Sequence, residues 1–245
     1  MGAELSPSER ATLAAMWAFR ARGERDTAAQ YEALGGRLQA SGADAAVIAR
    51  VVAAAADEAR HHDVCAEMAA QLQQSPMRAS PAKVPRIAPH YLDGGARLAY
   101  EVVALFCVTE SINATLLLRS WQQATDDATR AALHQLLADE VEHSRIGWGY
   151  LAQEPGWRDE LAVGLPLMLA AATHDDDFLS ASVPPVTSPA LVAHGLLPQS
   201  ALRDVFLEAM HDVVLPGLEL CGVATVEARR WLTTCTDRWR PPATP

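Results

Sequence analysis

The sequence predicts an all-α protein built on a four-helix bundle with additional C-terminal helices. Three observations lead to this fold class. Alanine is abundant and aromatic residues are 6% of the 245 residues, a composition that suits closely packed helices. Apolar residues recur at helical spacing through four long segments, each bounded by capping or helix-breaking residues. A Glu-x-x-His pattern occurs twice, since residues 57–61 read Asp-Glu-Ala-Arg-His and residues 139–143 read Asp-Glu-Val-Glu-His.

The repeated motif indicates a metal site. Residues three apart share a face of an α-helix, so each motif projects a carboxylate and an imidazole to the same side. Divalent first-row metals accept these oxygen and nitrogen ligands. A four-helix bundle that holds a di-iron or di-manganese centre uses two such motifs and one Glu from each of the two other helices. The remaining helices must therefore supply two inward-facing carboxylates.

The first helix supplies one of them. Ser6, Pro7 and Glu9 form a capping-box start, and a Ser-Gly pair at 41–42 ends the helix. Glu24 lies at a seven-residue step between Trp17 and Tyr31. A stripe with this period faces the bundle interior, so we expect the Glu24 carboxylate to point into the core.

The second helix is expected from about residue 44 to 74, and its inward stripe is apolar except for Glu58 and His61. Four prolines in 76–92 indicate a long crossover. The third helix, from about 93 to 124, supplies the other carboxylate, because Glu110 stands in a run of apolar residues. The fourth helix begins near 127, stops at 155 and carries Glu140 and His143. The two halves therefore repeat a helix with a lone Glu followed by a helix with the motif.

The predicted ligands fall into three groups by expected role. Glu58 and Glu140 are the expected bridging ligands, His61 and His143 are terminal, and Glu24 and Glu110 are terminal or bridging. Three residues are expected to hydrogen-bond the ligands: Asp57 and Asp139, each orienting a histidine across the bundle, and Asn113, one turn after Glu110. His211 is a candidate additional ligand, with a capping or packing role as the alternative.

Composition limits the classes of partner and compartment. The net charge of −10 argues against binding to nucleic acid or to an anionic membrane. Four widely spaced cysteines form no C-x-x-C pair, which argues against a disulfide framework or a rubredoxin-type iron site. No signal peptide and no apolar run long enough for a membrane span are evident, so we expect a cytoplasmic protein.

The chain is expected to divide into a di-metal bundle, residues 1–155, and a C-terminal helical extension packed on it, residues 156–245. In the extension we predict a helix interrupted or bent at Pro166. A second helix is expected from Ser200, broken or kinked at Pro216 and continuing to about Arg230.

The six residues resemble the ligand pattern of the ferritin-like di-iron carboxylate superfamily. Residues 57–61 resemble the D-E-x-R-H motif of bacterial multicomponent monooxygenases, whereas the second copy departs from it with Glu142 in place of Arg. The layout, with a His-Gly-Leu-Leu segment at 194–197, is similar to that of stand-alone ferritin-like proteins from bacteria. Similarity to p-aminobenzoate N-oxygenase and aldehyde-deformylating oxygenase is limited to the bundle and the ligands.

The resemblance implies an O2-activating non-haem di-iron oxidase or oxygenase. It would hydroxylate, N-oxygenate or desaturate a small organic substrate, with two iron ions (or manganese and iron) as cofactor and O2 as co-substrate. Electrons would come from an external ferredoxin or reductase, because the sequence has no flavin or nicotinamide fingerprint. The extension would shape a substrate pocket, and a homodimer is plausible. The alternative is a ferroxidase or iron-handling protein, and a bundle with buried ion pairs and no metal is the third interpretation.

Overall fold

The computed structural model describes residues 5–78, 80–153, 155–174 and 188–239, which contain helices and no β-strand. The predicted all-α fold class is confirmed. Four long helices form the bundle. They are α1 (Pro7–Ser41), α2 (Ala45–Gln73), α3 (Gly94–Gln123) and α4 (Asp127–Gln153).

The C-terminal part of the described chain adds shorter helices. A 3₁₀ turn at Pro155–Trp157 leads into α5 (Arg158–His174), followed by α6 (Pro189–Ala193). Three consecutive segments then form one helix, α7: Gln199–Glu208, the π-helical Ala209–Val214, and Leu215–Leu220. The last helix is α8 (Val226–Trp239).

Local signals set the helix ends as predicted. Ser6 caps α1: its hydroxyl accepts from the Glu9 backbone N–H, and the Glu9 carboxylate accepts from the Ser6 backbone N–H at 2.8 Å. Gly42 closes α1 in the left-handed conformation, with φ of 75°. The Asp44 carboxylate then accepts from the Ala46 N–H at 2.7 Å and starts α2.

The bundle packs α1 against α2, α3 against α4, and α2 against α4. Its buried apolar side chains form two clusters. The larger one contains Tyr31, Phe106 and Ile146, and the smaller one contains Trp17 and Leu136. Between these clusters each helix carries buried polar residues, so the hydrophobic core is divided by a polar layer in the middle of the bundle.

A π-helical segment in α3, Val103–Thr109, was not predicted from the sequence. The Thr109 hydroxyl donates to the Ala104 carbonyl at 2.9 Å, five residues back. This segment packs against α4 at Gly147, where a Cβ atom would lie 2.6 Å from Cys107 Sγ and 2.8 Å from Cys107 N. Helices α3 and α4 are therefore in backbone contact one turn after His143, and a larger side chain at 147 would separate them.

The structure narrows the predictions for the extension. Helix α5 is not interrupted at Pro166, and α7 is not broken at Pro216 but continues to Leu220. The predicted bend at Pro166 and kink at Pro216 stay predictions. The π segment 209–214 ends two residues before Pro216 and changes the hydrogen-bond register where the proline lacks a donor. The expected continuation to Arg230 is wrong, because Gly222 turns the chain with φ of 81° before α8 begins.

The segment 194–197 attaches the extension to the turn between α3 and α4. His194 Nδ1 lies 3.3 Å from the Thr129 hydroxyl. The Ala193 carbonyl accepts from the backbone N–H groups of Thr125 and Asp126 at 2.8 and 3.1 Å. Gly195 has φ of 73°, and a Cβ there would lie 2.9 Å from Leu133 Cδ1. The His-Gly-Leu-Leu segment therefore makes structural contacts with the bundle in this fold. The division of the chain into 1–155 and 156–245 stays a prediction.

Among the residues that the structure describes, one helix, Gly94–Gln123, is long and apolar enough to cross a membrane by length and composition. This corrects the expectation that no segment meets that length. Its most apolar window has a mean hydropathy of 1.6, and 67% of that window is buried inside the structure. Burial of this kind is typical of a core helix.

Candidate metal centre

The polar layer contains all six predicted ligands, and the structure brings them together. Their exposed fractions lie between 0% for His61 and Glu110 and 7% for Glu24. Each bundle helix contributes. The members are Glu24 from α1, Glu58 and His61 from α2, Glu110 from α3, and Glu140 and His143 from α4. We call these six residues the Glu/His cluster.

The cluster contains two overlapping sets of possible metal ligands. Glu24, His61, Glu58 and Glu140 form one set, which we call the Glu24 group. Glu110 and His143 form the other with the same two glutamates, and we call it the Glu110 group. Within each group the ligand atoms all lie within 4.8 Å of one another. Carboxylate and imidazole donors at this separation could hold a metal ion in each group.

Several buried atoms of the cluster have no hydrogen-bond partner. Both carboxylate oxygens of Glu58 and the Nδ1 of His61 are in this state. Glu58 Oε1 lies 3.0 Å from His143 Nδ1 and Oε2 lies 3.4 Å from His61 Nδ1, but these contacts do not have hydrogen-bond geometry. A buried polar atom without a partner costs about 1–3 kcal/mol. A cation between these atoms would satisfy them, so the residues fit a metal.

The carboxylates differ in their affinity for protons. Burial, together with the neighbouring charges of Glu58 and Glu140, raises the pKa of Glu24 well above its usual range. Burial and the nearby Glu140 do the same for the pKa of Glu110. Burial opposes ionisation of Glu58 as well, but the close approach of the His143 and His61 imidazoles outweighs it and lowers the pKa of Glu58 to about 2.

The histidines bind protons strongly in the metal-free cluster. Burial lowers the pKa of His143, but its contacts with Glu140 and Glu58 prevail and raise that pKa to about 11. Burial likewise opposes protonation of His61, whose pKa is nevertheless raised above 6.5 by Glu58 and further carboxylates. Protons therefore supply the positive charge that four neighbouring carboxylates require when no cation is bound.

The two aspartates that precede the motif glutamates lie where the sequence predicted. Asp139 Oδ2 is 3.0 Å from His61 Nε2, and Asp57 Oδ2 is 3.2 Å from His143 Nε2, so each aspartate reaches the histidine of the other motif. With a proton on Nε2 donated to the aspartate, the Nδ1 lone pair of each imidazole faces the cluster carboxylates. This is the tautomer that metal-binding histidines use.

Arg60 joins these two aspartates, a role that the sequence analysis missed. Its guanidinium donates to Asp57 at 2.6 Å and to Asp139 at 3.3 Å. Glu142, which stands in the arginine position of the second motif, instead pairs with Arg145 at the surface. One arginine therefore serves both aspartates, which explains why the second motif needs none.

Tyr31 is a further residue that the sequence analysis left outside the site. Its hydroxyl donates to Glu110 Oε1, and its ring is fully buried against Phe106 with the centroids 4.4 Å apart. The signal was present, since Tyr31 follows Glu24 by seven residues on one stripe. Its partner, however, lies on another helix and could not be read from local sequence.

Of the two other predicted site residues, Asn113 lies beside the cluster and His211 does not. Asn113 Nδ2 lies 3.5 Å from Glu110 Oε2, at the long limit of a hydrogen bond. His211 does not join the cluster: its side chain is exposed on the π segment of α7 and belongs to neither ligand group. The candidate additional ligand is therefore wrong, because an exposed histidine on that helix does not reach the buried layer.

Two of the cavities on the described part of the chain lie away from the cluster. One of about 170 Å³ lies at a bundle end beside Leu38, Tyr150 and Trp157. The other, of about 420 Å³, lies between α1, α2 and the crossover, beside Arg25 and His62. Neither is lined by a member of the Glu/His cluster.

Comparison with protein-family models gives no match, and comparisons with curated proteins and with solved structures give none either.

Proposed function

We propose that the Glu/His cluster binds two divalent first-row metal ions in a ferritin-like di-iron arrangement. The observation that carries the proposal is the overlap of two four-ligand groups through Glu58 and Glu140. In this arrangement Glu58 and Glu140 would be shared by both metal positions as bridging ligands. Glu24 and His61 would complete one position, and Glu110 and His143 would complete the other. Four carboxylates balance the charge of two dications, which resolves the cost of burying these groups.

The surrounding residues support such a centre. Asp57 and Asp139 fix the imidazoles with Nδ1 toward the carboxylates, and Arg60 fixes the aspartates. Tyr31 holds Glu110. Partners that orient ligands in this way increase metal affinity, and their loss commonly costs about 10–100-fold.

We infer that the metals are iron, with manganese and iron as the second option, and that the protein is an oxidase or oxygenase. A bound pair of iron ions supplies electrons for the reduction of O2. In hydroxylation of a small organic substrate, one oxygen atom enters the substrate and the other leaves as water, which requires two electrons and two protons. A ferredoxin or reductase would deliver these electrons; N-oxygenation and desaturation are the other outcomes that we propose. Burial of the cluster keeps bulk water away from the reacting groups.

Ferroxidase activity is the second candidate, and one observation favours it. The cluster is at most 7% exposed at any member. Ferrous ions and O2 are smaller than an organic substrate and need less space. Fe(II) would then be the substrate: two ferrous ions become ferric, while O2 takes up two electrons and two protons to give hydrogen peroxide.

A single experiment separates the two candidates. The protein is loaded anaerobically with two Fe(II) per chain and mixed with O2, while its oligomeric size is measured in parallel. An oxygenase would oxidise its bound iron once and stop until a reductant is added, on a small oligomer such as the predicted homodimer. A ferroxidase would continue as long as Fe(II) is supplied and would retain ferric mineral in a large assembly. Failure to bind iron would overturn both.

A further inference from the structure

The two ligand groups differ in how their unshared carboxylates are held. Glu110 is fully buried and accepts hydrogen bonds from the Tyr31 hydroxyl and, at 3.5 Å, from Asn113. Glu24 is 7% exposed, and its side-chain contact is with Glu58, another carboxylate of the cluster. The nearby positive charge at Glu24 comes from Arg20, one turn earlier on α1.

Tyr31 is itself held in one position. Its side chain is 0% exposed and its ring stacks on Phe106 at an interplanar angle of 29°. Its edge faces His143, with the ring centroids 6.4 Å apart. Rotation of the ring away from Glu110 would leave a buried hydroxyl without a partner, which is costly. The hydroxyl therefore holds the Glu110 carboxylate in one orientation.

The histidine of the Glu110 group also lies closer to the shared carboxylates. His143 Nδ1 is 3.0 Å from Glu58 Oε1 and 3.1 Å from Glu140 Oε2. The corresponding contact of His61 Nδ1 with Glu58 Oε2 is 3.4 Å. The imidazole of the Glu110 group therefore lies closer to the shared carboxylates than the imidazole of the Glu24 group.

We propose that Tyr31 is a positioning residue whose hydroxyl preorganises Glu110, so that the Glu110 group takes the first divalent cation and the Glu24 group takes the second. The inference rests on the proposed function, since it requires that the cluster bind two cations. A ligand already held in its binding orientation loses less conformational freedom on binding, which increases affinity. The first cation would fix Glu58 and Glu140 and so prepare two of the four ligands of the second position.

The test is an anaerobic titration of the metal-free protein with Co(II), followed by visible absorption and calorimetry. The wild type should show two resolved steps of one equivalent each. Tyr31→Phe should weaken the first step about tenfold or more, because the hydroxyl is lost while the ring is kept. Tyr150→Phe, a buried tyrosine that lines the end cavity, is the matched control and should leave both steps unchanged.

A second variant keeps the order of binding testable if Tyr31→Phe folds poorly. Glu24→Gln should retain the first, tighter step and lose the second. Loss of the tighter step in Glu24→Gln would overturn the inference, as would unchanged stepwise constants in a folded Tyr31→Phe protein. Equal weakening of both steps by Tyr31→Phe would show a general structural role and would also overturn it. A wild type that binds no Co(II) would instead overturn the proposed metal site itself.

Discussion

Metal binding should release up to four protons per chain. In the metal-free cluster, burial and neighbouring carboxylates raise the pKa values of Glu24 and Glu110 well above their usual range, which favours their neutral forms. Contacts with carboxylates raise the pKa values of His61 and His143, which favours their protonated forms. Each of the four groups must lose one proton to become a ligand, whereas Glu58, with a pKa of about 2, is already ionised.

Calorimetric titration with Mn(II) in two buffers of different ionisation enthalpy measures this number directly. Protons compete with the metal for the ligands. The affinity for Mn(II) should therefore decrease at lower pH and increase at higher pH. A release of four protons corresponds to a change of about 10⁴-fold in the product of the two binding constants per pH unit. Glu24→Gln has no proton to lose at that position and should lose the second metal ion, so His61 keeps its proton as well and the variant should release about two fewer protons. Fewer than about two protons from the wild type would refute the assignment of protons to these groups.

Three further variants follow from the geometry. His143→Ala should retain less than one metal ion per chain with nearly unchanged helicity, measured by metal analysis and circular dichroism; two retained ions would show that the ligand set is wrong. Gly147→Ala should lower the free energy of unfolding by on the order of 1–3 kcal/mol in urea denaturation, because its Cβ would collide with α3, whereas Gly149→Ala on the same helix should be neutral or stabilising. Arg60→Ala should weaken metal binding about 10–100-fold while Arg145→Ala should not, and equal effects would contradict the bridging role of Arg60.

The helix ends and the burial of the six cluster residues could be predicted because both depend on local pattern. Ser6, Gly42 and Asp44 act within a few residues of where they stand. The seven-residue step from Trp17 to Glu24 likewise fixes a helix face without knowledge of the partner helix.

Features that depend on contacts between helices could not be read in the same way. Arg60 was visible as part of a motif, but its second partner, Asp139, lies 79 positions away on another helix. The π segment 103–109 has no glycine or proline to mark it, and almost every side chain around it is buried, so apolar periodicity does not report the change of register. His211 shows the converse error, since the residue type suggested a ligand that the fold leaves at the surface.

The central claim is a di-metal centre in which both ligand groups share Glu58. The most direct test compares the number of iron ions retained per chain in the wild type and in Glu58→Gln. Both proteins are loaded anaerobically with excess Fe(II), freed of unbound iron by gel filtration and analysed for metal. Because Glu58 belongs to both ligand groups, we predict two ions in the wild type and fewer than one in the variant. A wild type without iron, or a variant that still retains two ions, would contradict a di-metal centre built on the shared glutamates.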